Sequence, residues 1–258
     1  MRIRGSFVLL GLLAGSIELF GQEVANREQF LLNAEVVNRE VISSGITLPQ
    51  VLELEMNGKK RRAVFKSFEI FLPRQHVTVG EEQQEGLRDS WKFEVAAYRL
   101  DKLLGMGMVP VTVERKIEGR EGALIDWVEN LLPELKVDLG GFEMESWERE
   151  IAKVWLFDYL AYNIDRTPDN LLVTSDFQVR LIDHSRSFQR FLTPMRPLFR
   201  FPRESIERLR TLGPEDFREA LGPYLTEEEM EAFLERRKRI LDRVAELLAS
   251  RPESEVYF

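Results

Sequence analysis

Two residues of the kinds that hold a metal ion or accept a proton, Asp165 and Asn170, stand five residues apart in one polar segment. The segment reads Asn-Ile-Asp-Arg-Thr-Pro-Asp-Asn, and an apolar stretch follows it. Pro168 favours a loop here, because proline cannot continue a helix. A loop of this length lets the carboxylate face a nucleophile while the amide oxygen turns back toward a metal ion. Phosphoryl transfer is a reaction that needs both groups, a carboxylate near the attacking hydroxyl and an oxygen on a metal ion, so Asp165 and Asn170 are candidates for these two roles.

Asp183 follows Asn170 by thirteen residues and comes directly after the segment 179–182, in which three of the four residues are apolar. We predict that residues 171–173 and 179–182 form a short hairpin, which would bring Asp183 beside Asn170. Carboxylate and amide oxygens are the ligands that Mg²⁺ and Mn²⁺ prefer. The pair therefore predicts a site for Mg²⁺ (or Mn²⁺) between the phosphates of ATP. The alternative is that these residues only form turns and surface salt bridges.

Lys66 lies in the apolar segment Ala-Val-Phe-Lys, which reads as a strand. A lysine in such a strand is costly to bury unless an anionic group accompanies it. We predict that Lys66 contacts the α- and β-phosphates of ATP and pairs with a glutamate of the next helix. Glu94 is the preferred partner, and Glu85 and Asp89 remain alternatives.

Residues 125–128 lie at the end of the last predicted strand of the first half of the chain. We predict that Asp126 and Val128 meet the adenine ring of ATP through their backbone groups, whereas Trp127 can equally belong to the core. Gly45 offers backbone amides to the phosphates, although a lone glycine is usually a turn.

The composition narrows the function further. Of 258 residues, 44% are hydrophobic and 31% are charged, which suits a folded protein rather than a disordered one. The formal charge of −8 argues against general nucleic-acid binding, which needs a basic face. The chain has no cysteine and only two histidines, so thiolate metal sites and cysteine nucleophiles are excluded and a zinc site is disfavoured.

The N-terminus has the pattern of an export signal. Arg2 and Arg4 precede the short apolar run 7–13, and small residues lead to a cleavage position near Gly21. We predict a signal peptide over residues 1–22 and a periplasmic or secreted protein. The apolar run is too short for a stable membrane span. The alternative is a buried N-terminal helix in a cytoplasmic protein.

The hydrophobic pattern changes along the chain from strand-like to helix-like. We predict an α+β protein, with a nucleotide-binding unit over 23–130 rich in antiparallel strands and a mainly helical unit over 131–258. The predicted elements are a helix over 23–41, strands within 47–71, a loop or insertion over 73–88, a helix over 89–104, strands over 109–113 and 122–128, a helix over 146–162, and three helices within 205–250.

Taken together, these motifs resemble those of a known group of enzymes. Four parts of the chain carry the likeness. They are Lys66, the segment Glu-Val-Ala-Ala-Tyr from Glu94, the segment Asn-Ile-Asp-Arg with Asn170, and the segment Leu-Ile-Asp-His around Asp183. The pattern resembles the atypical kinases related to phosphatidylinositol 3-/4-kinases, HipA-type kinases and secreted Golgi casein kinases.

The resemblance implies a two-lobed protein-kinase-like fold, with an antiparallel-sheet N-lobe and a mainly helical C-lobe. It implies ATP and a divalent metal, with Asp165 as catalytic carboxylate, Asn170 and Asp183 as metal ligands, and Lys66 on the phosphates. This chain departs from the family pattern at two places. Many relatives have Asp-Arg-His where this chain has Asp-Arg-Thr at residues 165–167. The metal-binding motif Asp-Phe-Gly is replaced in this chain by Asp-His-Ser, which begins at Asp183.

These observations predict an ATP-dependent phosphotransferase that moves the γ-phosphate to a hydroxyl acceptor. The acceptor is left open between a protein, a lipid headgroup, a sugar and a small molecule. Three alternatives also remain open. They are a pseudokinase that binds nucleotide or a partner without turnover, a nucleotidyltransferase on the same fold, and a structural protein with no nucleotide site.

Overall fold

The computed structural model describes residues 22–41, 49–132 and 144–258. The predicted signal peptide therefore lies outside the described residues, except for Gln22. The same holds for Gly45 and for the segment 133–143, which follows the predicted boundary between the two units. That boundary stays a prediction.

The first helix is shorter than its sequence pattern predicts. Helix α1 covers residues 22–33, and strand β1 follows as Glu35–Val41, so the prediction of one helix to residue 41 is wrong. The guanidinium of Arg115 explains the early end, since it donates hydrogen bonds to the carbonyl oxygens of Leu31 at 2.7 Å and Ala34 at 2.6 Å. The last carbonyl groups of a helix have no hydrogen-bond donor within the helix, and here a distant arginine provides the donors.

Five antiparallel strands form the N-lobe sheet, in the order β1-β2-β3-β7-β6. Two of its hairpins turn on a left-handed residue followed by glycine: Asn57-Gly58 has φ 53° and 72°, and Glu118-Gly119 has φ 51° and 81°. Such turns match the right-handed twist of the flanking strands. The remaining strands are β2 Gln50–Met56, β3 Lys59–Lys66, β6 Thr112–Ile117 and β7 Arg120–Asp126.

A separate two-stranded ribbon follows β3, made of β4 Glu69–Val79 and β5 Glu82–Ser90. The prediction of a loop over residues 73–88 is therefore wrong. Nearly all of β4 is exposed, so it lacks the alternation of apolar and polar residues that marks a half-buried strand. The pairing is interrupted between Leu72 and His76, near Pro73, which a strand tolerates at an edge.

Helix α2, Trp91–Leu104, confirms the predicted helix at this position. The hydroxyl of Ser90 accepts a hydrogen bond from the N–H of Lys92 at 3.1 Å and caps the start. Gly105 ends the helix in a left-handed conformation with φ 66°. Its buried face includes Glu94, which points a carboxylate into the interior.

The C-lobe is mainly helical, as predicted. Arg236 of its longest helix is fully buried and donates to the carbonyl oxygens of Leu160, Gln189 and Phe191. No helix within the described ranges combines the length and apolar character needed to cross a bilayer. The elements are α3 Met144–Ala161, the short 3₁₀ turn Pro168–Asn170, β8 Leu171–Val173, β9 Val179–Leu181, α4 Arg203–Thr211, α5 Pro214–Leu221, α6 Glu227–Leu248 and α7 Glu253–Val256.

Candidate active site

Lys66, at the end of β3, lies between two carboxylates from distant parts of the chain. Its Nζ is 2.6 Å from Glu94 Oε1 on α2 and 2.8 Å from Asp183 Oδ1 after β9. The side chains of Lys66 and Glu94 are almost fully buried, whereas that of Asp183 is 45% exposed. The lysine therefore joins the sheet, the helix and the loop after β9 at one point.

The charges of this cluster stabilise one another. Burial alone would lower the pKa of Lys66, but Glu94 and Asp183 more than offset it and raise that pKa above its ordinary value. Burial alone would raise the pKa of Glu94, but Lys66 and His184 hold it well below its ordinary value. Both groups are therefore ionised at neutral pH.

The second oxygen of Glu94 binds the backbone that follows Asp183. Glu94 Oε2 accepts a hydrogen bond from the N–H of His184 at 3.1 Å. The imidazole of His184 is fully buried, and burial lowers its pKa, so the ring is neutral. Its Nε2 lies 3.0 Å from a terminal guanidinium nitrogen of Arg166. Sequence reasoning assigned no role to this histidine, and the apolar pair Leu181-Ile182 just before Asp183 is the one local hint of a buried position.

Arg166, next to the predicted catalytic carboxylate, organises the loop around it. It forms a fork-like ion pair with Asp158 of α3, with N···O distances of 3.0–3.1 Å. The same guanidinium donates to the carbonyl oxygens of Asn170 at 3.0 Å and Ile182 at 2.7 Å. One arginine thus fixes the loop against both strands of the hairpin, a role that sequence reasoning missed.

Strands β8 and β9 form the predicted hairpin and bring the two predicted metal ligands together. The N–H of Ile182 donates to the carbonyl oxygen of Asn170 at 3.1 Å, so Asp183 is the next residue along. Asp183 has φ 57°, an uncommon left-handed conformation for a residue other than glycine. Such backbone conformations are concentrated at functional sites.

The oxygen atoms available here fit a hard divalent cation. The amide nitrogen of Asn170 donates to the carbonyl oxygen of Asp165 at 3.2 Å, which leaves its Oδ1 as an acceptor. Asp183 contributes a half-exposed carboxylate. Within the described ranges, no group of three or more carboxylates and imidazoles is placed to hold a metal by itself. Two side-chain ligands completed by substrate phosphates are the usual arrangement for Mg²⁺.

Asp165 lies at the open side of this cluster, with its side chain 48% exposed. Its backbone N–H donates to Asn163 Oδ1 at 3.0 Å, and the amide nitrogen of Asn163 donates to the carbonyl oxygen of Asp183 at 3.1 Å. Asn163 is buried, and its side chain links the backbone of Asp165 to the backbone of Asp183. The carboxylate itself accepts a hydrogen bond from Arg186 at 3.2 Å.

The two residues predicted to meet adenine lie at the end of β7 and just beyond it: Asp126 is the last residue of the strand, and Val128 follows two residues later. The carboxylate of Asp126 is buried and lies 3.1 Å from Arg27 of α1, and burial raises its pKa. Its N–H donates to the carbonyl oxygen of Val111. Within the described part of the chain, no hydrogen bond engages Val128. The side chain of Asp126 therefore serves the fold, and the predicted contacts of both residues with adenine rest on backbone groups.

Three apolar side chains share the sheet face of Lys66, and sequence reasoning missed them. Val64 lies two residues before Lys66, which places both on one face of β3. Val51 of β2 and Ile125 of β7 lie directly opposite Val64 on its two sides. Directly opposite residues point to the same face, so these three form an apolar surface beside the lysine.

Solved structures share this fold at low sequence identity. A structure of hydra Fam20 with sugar has a TM-score of 0.66 at 18% identity, with 92% of each chain covered. A Golgi casein kinase with Mn/ADP bound has a TM-score of 0.62 at 15% identity, covering 92% of this chain and 79% of that one. The Helicobacter pylori proinflammatory kinase CtkA has a TM-score of 0.50 at 12% identity, covering 86% and 98%.

These likenesses show an atypical kinase-like fold, and they confirm the predicted α+β class with an antiparallel-sheet N-lobe and a mainly helical C-lobe. No protein-family model matches the chain, and no curated protein is similar to it in sequence. Activity, substrate and export are not carried by a likeness of fold.

Proposed function

We propose that the chain is an atypical kinase, which transfers the γ-phosphate of ATP to a hydroxyl acceptor. The observation that carries the proposal is the double ion pair of Lys66 with Glu94 and Asp183. It gathers a fixed cation and a half-exposed carboxylate at one end of the hairpin. Asn170 and Asp165 belong to the loop that Arg166 ties to the same hairpin.

Each residue has a role in this reaction. Lys66 supports the phosphates, and the apolar face of Val51, Val64 and Ile125 covers the adenine ring, whose edge meets the backbone at Asp126 and Val128. Asn170 and Asp183 hold Mg²⁺ or Mn²⁺, which supplies positive charge to the phosphates. Glu94 holds Lys66 in place.

In the proposed step, the acceptor oxygen bonds to the γ-phosphorus while the bond from that phosphorus to the β,γ-bridging oxygen breaks. ADP leaves with the electron pair of the broken bond. Asp165 orients the acceptor hydroxyl and takes its proton, which then passes to solvent.

The structural neighbours support this proposal at the level of chemistry. One neighbour of the same fold, the Golgi casein kinase, has Mn/ADP bound, and the hydra Fam20 structure is of that protein with sugar. A sugar hydroxyl is therefore one candidate acceptor for this chain, beside a protein, a lipid headgroup and a small molecule. If the predicted signal peptide directs export, the acceptor lies outside the cytoplasm.

A pseudokinase is the second candidate, and one contact favours it. Asp183 Oδ1 lies 2.8 Å from Lys66 Nζ, so the predicted metal ligand is already engaged by a cation. In that reading, nucleotide or a partner binds without transfer. The third candidate is a nucleotidyltransferase. It would label its product from α-labelled ATP, whereas a kinase would label its product from γ-labelled ATP, so the two labels distinguish these activities.

Thermal unfolding of the full chain with ATP and Mg²⁺ tests the proposal. Ligand at a hundred times its dissociation constant stabilises a protein by about 2.7 kcal/mol. We expect a metal-dependent rise in Tm that D183N abolishes and D169N keeps, because Asp169 is an exposed carboxylate in the same loop. Absence of any rise in the wild-type chain, with ATP and with other nucleotides, would overturn the proposal. A rise without transfer from γ-labelled ATP to any acceptor class would favour the pseudokinase.

A further inference from the structure

Arg186 connects the predicted catalytic carboxylate to the N-lobe ribbon. Its Nε donates to Asp89 Oδ2 at 2.7 Å, and one terminal nitrogen donates to Asp165 Oδ2 at 3.2 Å. Asp89 is the next-to-last residue of β5, whereas Arg186 follows Asp183 by three residues. The N–H of Ser90 also donates to the carbonyl oxygen of Ser185 at 2.8 Å, which fixes the backbone beside this side chain.

The anchor at Asp89 is stronger than a surface pair. The side chain of Asp89 is only 10% exposed, and its hydrogen bond to Arg186 raises the pKa of the arginine above its ordinary value. The contact is a single hydrogen bond from Nε, and with the second contact from a terminal nitrogen to Asp165 it holds the guanidinium at two points. The guanidinium is therefore fixed in orientation before any substrate binds.

Most of the hydrogen-bonding capacity of Arg186 stays unused. A guanidinium has five N–H donors, and Asp89 and Asp165 take one each. Within the described part of the chain, no other group accepts from the remaining three. The side chain is 36% exposed and lies where the acceptor hydroxyl and the γ-phosphate must meet if Asp165 orients that hydroxyl.

We propose that Arg186 contacts the γ-phosphoryl group during its transfer and that Asp89 is its positioning residue. The inference rests on the kinase function proposed above. As the acceptor oxygen bonds to phosphorus and ADP leaves, the free N–H groups of Arg186 bind the phosphoryl oxygens. Arg186 stays protonated throughout, and the proton of the acceptor still goes to Asp165. Preorganised donors of this kind stabilise charge that spreads over those oxygens.

Nucleotide binding gives a test that does not depend on turnover. The affinities of the full-length protein for ADP and for a non-transferable ATP analogue are measured by calorimetry with Mn²⁺, for the wild type and for R186M. We expect R186M to weaken binding of the analogue about tenfold, the worth of a charge-assisted hydrogen bond, and to leave ADP binding within about twofold. Unchanged ADP binding also reports that the variant is folded.

Two further variants sharpen the result. D89N keeps the guanidinium but weakens its anchor, so we expect a smaller loss for the analogue. R203M removes an arginine that pairs with Glu253 on the C-lobe surface, and we expect it to leave both affinities unchanged.

The outcomes separate this inference from the proposed function. If R186M has the same ratio of affinities for the ATP analogue and for ADP as the wild type, the proposed role of Arg186 is overturned. The kinase proposal would still stand. Faster transfer by R186M would also overturn it, because the arginine would then block Asp165. A wild-type protein that binds neither nucleotide would overturn the kinase proposal, and the inference with it.

Discussion

The N–H of His184 donates to Glu94 Oε2 at 3.1 Å, while the other oxygen of the same carboxylate holds Lys66 at 2.6 Å. One buried side chain on α2 therefore positions both the lysine of β3 and the backbone directly after Asp183. A shift of α2 would move the two predicted partners of the phosphates and the metal together. This coupling makes Glu94 a structural centre of the site.

A double-mutant cycle measures the coupling between Lys66 and Glu94. We expect K66M to lower the free energy of unfolding by about 3–5 kcal/mol, because it leaves the Glu94 carboxylate buried without a counter-charge. E94Q should cost less, since Lys66 keeps Asp183 as a partner. Urea unfolding of both single variants and the double variant gives the interaction energy, expected at about 1–3 kcal/mol. Additive losses would show that the buried pair contributes nothing beyond its separate members.

The carboxylate of Asp126 gives a second, asymmetric prediction. It is 5% exposed and pairs with Arg27, so R27M should destabilise the protein more than D126N does. R27M leaves a buried charge with only Arg61 at 3.8 Å, whereas D126N removes that charge. Chemical denaturation of the two variants checks this order. Because only the backbone at Asp126 is proposed to meet adenine, D126N should also keep the affinity for ATP, and a large loss of affinity would contradict that assignment.

Asp101 predicts a pH dependence of stability. Burial raises the pKa of Asp101 from 3.8 to about 7. A carboxyl group with a raised folded-state pKa contributes stability that is fully present below its unfolded pKa and is lost as the pH rises through the folded one. Relative to D101N, the wild type should lose at most about 1.4 kcal/mol per pH unit in that window.

Urea unfolding at pH 5 and pH 8 checks the Asp101 prediction. The Asn side chain of D101N can still accept the hydrogen bond from the N–H of Met108, so packing and geometry are retained. We expect the free energy of unfolding of D101N, relative to that of the wild type, to increase as the pH rises. D169N, at an exposed site, should show no such trend. An equal difference at both pH values would mean that Asp101 is ionised in the folded state throughout.

Gly122 of β7 predicts a steric effect on the lysine strand. A Cβ atom there would overlap the backbone carbonyl oxygen of Lys66 and lie 2.7 Å from the ring of Phe65. We expect G122A to cost about 1–3 kcal/mol and to weaken ATP binding, because β3 must shift. G213A is the matched control, since a Cβ at Gly213 meets nothing closer than 3.6 Å. Thermal unfolding and nucleotide titration of both variants check the difference, and equal behaviour would contradict the steric argument.

Local patterns predicted much of the framework and the composition of the candidate site. The turn at Asn57-Gly58 was predictable, because few residue pairs accept two left-handed conformations in succession. The ends of α2 were predictable from Ser90 and Gly105, whose roles in capping depend only on neighbouring residues. The spacing of Asp165, Asn170 and Asp183 similarly placed all three around one hairpin.

The contacts between distant segments were not predictable in the same way. Sequence reasoning preferred Glu94 as the partner of Lys66 but left Glu85 and Asp89 open. The packing of α2 decides for Glu94, and Asp89 instead holds Arg186. The early end of α1 depends on Arg115, which lies more than eighty residues away along the chain.

The sequence by itself determined the types and spacing of the groups that we propose to transfer a phosphoryl group. It also determined the turns and caps that a few adjacent residues set through steric limits and local hydrogen bonds. Only the tertiary structure decided which charges meet, because a buried ion is stable only where packing brings its counter-charge within hydrogen-bonding distance. Lys66 between Glu94 and Asp183, and Arg186 between Asp89 and Asp165, are consequences of that requirement.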